Sequence, residues 1–220
     1  SSQALAQGGA PAGQQPQSTK GAVVKGRAPV NKEVLKVKLP RAQEASLPNG
    51  LRVVLLESHK VPTFNMQMVV LSGGLSDKAD YRGLASFTAT LLREGTTKRS
   101  SKDIAEQVDA LGATLTANSG LSSMTTNVST NGLVENLDQT LELFSDVVRN
   151  PIFPQSEVEK YKTRTLAQLQ FQRSIPQFLA QEQFSRAIYG SSHPASLVAP
   201  PAESIKKLTT KDLADFHSTY

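Results

Sequence analysis

The chain has 220 residues, 38% hydrophobic and 20% charged, with a net charge of +5 and no cysteine. That is enough chain for one large domain or two small ones with a proper core. The missing cysteine excludes a disulfide framework, a cysteine-based zinc site and a thiol nucleophile. No run reaches the ~18–20 apolar residues of a membrane-spanning helix. The positive charge is local: residues 1–40 hold Lys20, Lys25, Arg27, Lys32, Lys36 and Lys38 against Glu33 alone, and the rest of the chain is neutral. A nucleic-acid binder carries its basic stripe on a folded face, so this distribution argues against nucleic acid as a partner.

Residues 1–19 carry no charged side chain and are built from Gln, Ala, Gly, Pro and Ser. Residues 1–40 therefore read as a disordered basic tail, unable to bury enough apolar surface to offset its ordering entropy. Ala4-Leu5-Ala6 has the small-residue look of an export cleavage site with Gln7 as the mature start, and an ordinary flexible tail reads equally well.

A folded domain is expected over 41–220. Asn49-Gly50 between Glu44–Leu47 and Leu51–Glu57 is a two-residue hairpin signal. Thr63–Leu71 alternates, with Phe64, Met66, Met68 and Val70 on one face, as a half-buried strand does. Residues 83–94 read as a helix with Leu84, Phe87, Thr88 and Leu91 on its stripe. Ser100 and Asp103 form a capping box for a second helix, which Gly112 closes. Thr114–Ser119 and Ser122–Thr130 are polar strands. Leu133, Leu137, Leu141, Phe144 and Val148 then recur at helical spacing until Asn150-Pro151. Residues 155–189 predict one or two helices broken near Pro176, and Thr209 with Asp212 starts a last helix. The order argues for an α+β fold, an antiparallel sheet covered on one face by helices. No Gly, Asn or Pro ends the final helix, so a further half-domain is expected beyond Tyr220.

Five segments, in order, carry a resemblance. They are Leu47-Pro48-Asn49-Gly50-Leu51-Arg52-Val53-Val54; Gly83-Leu84-Ala85-Ser86-Phe87 through Glu94-Gly95-Thr96; Leu111-Gly112-Ala113; Asn150-Pro151-Ile152-Phe153; and Tyr189-Gly190 with His193-Pro194, running on through Ser204-Ile205 to Tyr220. Together, residues 47–220 resemble one N-terminal half-domain of the pitrilysin/insulinase family of zinc peptidases, of the mitochondrial-processing-peptidase type. That family's site is an inverted His-x-x-Glu-His motif, in which histidines four apart reach one zinc ion and the Glu activates its water. By the resemblance, Ser86 and Thr90 stand where the histidines would be and Ala89 where the general base would be. A distal Glu ligand would fall near Gln168. Hydroxyls are poor zinc ligands near neutral pH, and Ala89 moves no proton. No catalytic residue and no metal ligand is therefore expected in this chain. His59, His193 and His217 lack ligand spacing and read as packing or surface residues. Ser72-Gly73-Gly74 and Ser119-Gly120 lack a nucleophile elbow and read as turns.

The resemblance also implies a partner. The strand Leu115, Thr116, Ala117 and Asn118 would take an extended peptide by strand addition, or it is a solvated edge kept polar against aggregation. The chain is expected to be the inactive member of a heterodimer, paired with a homologous subunit that holds the zinc, the two forming a peptide-binding and peptide-cleaving chamber. The alternatives are a longer zinc endopeptidase whose motif lies outside this chain, and a purely structural scaffold.

Overall fold

A computed structural model describes residues 41–191 and 193–220. The tail with its expected disorder and cleavage site lies outside them. The described residues divide into two compact units, 41–57 and 58–220.

In the first unit, β1 (Gln43–Ser46) pairs antiparallel with β2 (Arg52–Leu55). The expected two-residue loop is corrected to three. Leu47 N–H donates to Leu51 O at 2.8 Å and Gly50 N–H to Leu47 O at 2.9 Å, enclosing Pro48-Asn49-Gly50. A two-residue type I′ turn needs positive φ at both Asn49 and Gly50, whereas only Gly50 has it, at 86°. Pro48, with φ held near −65°, instead opens a type I turn that Gly50 closes.

The second unit is the α+β layer pair. Its sheet has the order β3-β5-β4, formed by β3 (Thr63–Val70), β4 (Thr114–Ser119) and β5 (Thr126–Leu133), all antiparallel. The alternation read for β3 holds, with Phe64, Met66, Met68 and Val70 half-buried and their neighbours exposed. The opposite face of the sheet carries Asn65, Gln67, Thr116, Asn118, Asn127 and Ser129, all uncharged. The second polar strand begins four residues later than expected, because Leu121–Thr125 is consumed by the turn that packs under Gly73-Gly74. Those glycines open a 3-10 turn, as read, with Ser76 N–H donating to Gly73 O at 2.8 Å, and they have a second role. A Cβ on Gly74 would lie 2.4 Å from the Gly120 and Leu121 carbonyl oxygens, so two backbones meet where no side chain fits.

The helices are α1 (Leu84–Leu91), α2 (Ser101–Ala110), α3 (Leu137–Arg149), α4 (Gln155–Gln172), α5 (Pro176–Tyr189), α6 (Ala202–Lys207) and α7 (Thr210–Thr219). The capping boxes at Ser100/Asp103 and Thr209/Asp212 are both formed. Gly112 follows α2 with φ 58°. Pro176 starts α5, where its missing N–H costs nothing. The stripe of α3 is corrected: Thr140, Leu143, Phe144 and Val147 are buried, while Leu141 is exposed and Leu133 ends β5. A strict four-residue step drifts round a helix of 3.6 residues per turn, so the stripe predicted from it left the core face.

Phe87, Leu91, Leu115, Val128, Leu143, Phe153, Ile205 and Leu213 make one core between sheet and helices. One polar knot is set into it. Asp146, 5% exposed, accepts from Thr96 Oγ1 (2.8 Å), Arg99 Nη1 (2.6 Å) and Asn150 Nδ2 (2.9 Å), tying α3 to the loop before α2. Burial pushes the Asp146 carboxyl up, but Asn150, Thr96 and Arg99 together hold it below the ordinary aspartate value. Its stabilisation is therefore fully present above the unfolded aspartate pKa of about 3.9 and is lost as pH falls through the lower folded value. Asp146→Ala should cost about 2 kcal/mol in urea unfolding at pH 7, because Thr96 and Asn150 lose their acceptor while Arg99 keeps Glu142. The same comparison at pH 3 should show a smaller difference.

Candidate functional site

Helix α1 begins at a carboxylate. Asp77, 5% exposed, accepts from Gly83 N–H through Oδ2 (2.7 Å) and from Ala85 N–H through Oδ1 (2.9 Å). Burial pushes its carboxyl above the ordinary value, against the pull of the Ala85 and Gly83 N–H groups and Arg82. Gly83 sits at φ 101°, and a Cβ there would lie 2.9 Å from the Pro200 ring. The helix that follows is buried on most of its circumference: Ala85, Phe87, Thr88, Ala89 and Leu91 are all buried. Small residues at 85 and 89 let it lie close to the sheet.

The two expected hydroxyls face α4. Ser86 lines a cleft of about 230 Å³ with Tyr161, Thr165 and Gln168, three residues at one-turn spacing on α4. Thr90 Oγ1 accepts from Tyr161 Oη at 3.4 Å. The Tyr161 ring packs edge-on to Phe87 with centroids 4.6 Å apart, and Arg164 lies 5.1 Å over its centroid. Ala89 departs from this group. It is 1% exposed and borders a separate, mainly apolar cavity of about 230 Å³ with Met68, Val128 and Phe216.

The donor set between α1 and α4 is thus two hydroxyls, a phenol and an amide, with a methyl where a proton acceptor would stand. Hydroxyls and amides suit hard cations in groups with carboxylates, and zinc takes thiolate, imidazole or carboxylate. The residues present do not fit a zinc ion. Among the described residues no three His, Cys, Asp or Glu side chains form a metal-holding group. His217 Nε2 contacts the Val148 carbonyl at 2.7 Å, and His193 Nδ1 accepts from Ala195 N–H at 3.1 Å. The first ties α7 to α3 and the second caps a short turn, so each serves a structural bond on a different element.

Strand β4 forms one edge of its sheet. Val134 N–H bonds the Pro62 carbonyl at 3.0 Å, which sets the phase of the ladder. Even-numbered residues of β5 bond β3, and Asn127, Ser129 and Asn131 bond β4. Of the four residues expected to take a peptide, Thr116 and Asn118 therefore spend their backbone groups on β5. Leu115 and Ala117 point theirs outward, as does Ser119. Leu115 is 5% exposed, and its carbonyl accepts from Arg93 Nη1 at 2.7 Å. Arg93 was not anticipated, because nothing in its spacing marks an arginine whose partner is a backbone carbonyl 22 residues on. A groove of about 300 Å³ lies between the start of β4, at residues 113–116, and α2.

The sheet with α1 buried against it and α4 facing α1 defines an α+β domain of two layers. The family model for insulinase, peptidase family M16, matches residues 52–201. The chain belongs to this family. It is 25% identical to the beta subunit of the rat mitochondrial-processing peptidase, over 83% of this chain and 37% of that protein. An uncharacterized zinc protease of Rickettsia felis is 24% identical over 78% of this chain and 41% of its own length. Among solved structures, a peptidase M16 inactive domain from Pseudomonas fluorescens superposes with a TM-score of 0.74 at 26% identity, covering 80% of this chain and 43% of that one. A protease from Helicobacter pylori gives a TM-score of 0.74 at 21% identity, over 83% and 44% of the two chains, and shows the fold alone. The chain spans well under half the length of these relatives.

Asp77→Ala should cost about 2 kcal/mol in thermal or urea unfolding, because it strands two N–H groups at the buried start of α1. Asp77→Asn, which keeps one acceptor, should recover part of that loss.

Proposed function

We propose that this chain is a non-catalytic member of its peptidase family. It pairs with a homologous zinc-bearing subunit and contributes the wall and grip of a chamber in which that partner cleaves extended peptides. One observation carries the reading: Ser86, Ala89, Thr90 and Gln168 supply no imidazole, carboxylate or proton acceptor where the family resemblance puts its zinc site. Zinc belongs to the partner in this scheme, and the bond cleaved is held by this chain but not broken by it.

The grip uses main-chain chemistry. A peptide laid along β4 exchanges hydrogen bonds with the outward N–H and C=O of Ala117, which needs no ionisable side chain. The uncharged face of the sheet adds no charge requirement of its own. The likeness to the Pseudomonas inactive domain supports the loss of catalysis, and the likeness to a processing-peptidase subunit supports pairing.

The test is peptide hydrolysis by this chain alone, by a zinc-bearing relative from the same source alone, and by the mixture. No turnover by this chain, with turnover by the mixture at least severalfold above the relative alone, is the expected result. Chelator-sensitive cleavage by this chain alone would overturn the proposal in favour of an enzyme. A mixture no faster than the relative alone would leave only a scaffold.

A further inference from the structure

The outward-facing edge of β4 is closed at one end. Its bonding positions are Ala113, Leu115, Ala117 and Ser119, every second residue. Ala113 N–H is already spent on the Val108 carbonyl at the end of α2, at 3.1 Å. The Leu115 carbonyl is spent on Arg93 at 2.7 Å. Beyond Leu115, toward the start of the strand, an added peptide finds no free pair of groups.

Polarity decides which end of a peptide meets this stop. A strand added antiparallel to β4 runs from Ser119 toward Leu115, so its C-terminus arrives at the closed end. Two donors wait there. The Leu115 N–H points outward by the phase of the ladder. Arg93 is exposed, has no ion pair among the described residues, and spends one of its five N–H groups on Leu115. A terminal carboxylate accepts from both, and a guanidinium bond to carboxylate is among the stronger hydrogen bonds available to a peptide. Glu94 and Asp109 line the same groove. Both lie at this same end, with residues 113–116, so they disfavour acidic side chains on the arriving residues, and a terminal carboxylate is held there only by direct contact with Arg93 and the Leu115 N–H.

We infer that Arg93 and the Leu115 N–H form a receptor for the C-terminal carboxylate of an extended peptide, which sets the register of peptides on β4. This rests on the proposed role of β4 as a peptide-binding edge. The ligand class is a short peptide with a free C-terminus and neutral or basic side chains. Internal segments and amidated peptides bind without this contact.

The test is fluorescence anisotropy with a short, uncharged, β-branched peptide labelled at its N-terminus, prepared as the free acid and as the C-terminal amide. The acid should bind about tenfold more tightly than the amide. Arg93→Gln should abolish the difference and Arg93→Lys should keep part of it, with circular dichroism reporting an unchanged fold in both. Equal binding of acid and amide would overturn the carboxylate receptor and leave strand addition standing. An acid preference that survives in Arg93→Gln would put the carboxylate elsewhere and overturn the role of Arg93. Binding of neither form would overturn this inference together with the peptide-binding role of β4.

Discussion

The position of α1 depends on Asp77. Its two carboxylate oxygens take the Gly83 and Ala85 N–H groups, and the helix they start is buried on most sides by sheet, α4 and α7. A buried helix start needs acceptors for its orphan N–H groups, and here one side chain supplies two of them. Because α1 has neighbours on most sides, each of its positions is assigned to one of them. Ala85 and Ala89 face the sheet side, Ser86 and Thr90 face α4, and Arg93, just past the helix, reaches the edge of β4.

That assignment shows how the framework can hold its shape with no imidazole or carboxylate at positions 86, 89, 90 and 168. A site of ligating histidines and carboxylates keeps charge between α1 and α4 at a desolvation cost, repaid when a metal binds. Here the same cleft is lined by an aromatic pair, Phe87 with Tyr161, and by neutral hydroxyls and an amide. Such a lining carries no charge that a metal must neutralise. The edge of β4 is under no such pressure, since its backbone groups do not depend on the identity of Ser86 or Thr90. The proposed loss of catalysis and the proposed binding edge are thus physically independent of each other.

Much of the fold was legible because local signals are strong where they combine. The two capping boxes, the Gly112 stop, the Pro176 break and the alternation of Thr63–Val70 each rest on a residue type that few other conformations accept. The misread parts had weaker or ambiguous signals. Asn49-Gly50 is a good two-residue turn until Pro48 is counted. Leu133 and Leu141 fit a helical spacing that the core does not use. The close approach of Gly73 and Gly74 to a neighbouring turn leaves no periodic trace. At the site, the resemblance brought Ser86, Ala89, Thr90 and Gln168 into view. The insertion of Tyr161, the separation of Ala89 from the cluster, and Arg93 on the Leu115 carbonyl are tertiary facts that no spacing along the chain encodes.

The most direct measurement of the central claim is zinc uptake by competition with a chromophoric chelator. It would compare this chain with a variant carrying Ser86→His, Thr90→His and Gln168→Glu. The expected result is no stoichiometric zinc in the unaltered chain and one equivalent in the variant, because only the donors are missing. Stoichiometric zinc in the unaltered chain would contradict it, and a variant that still takes none would show that α1 and α4 do not frame the site.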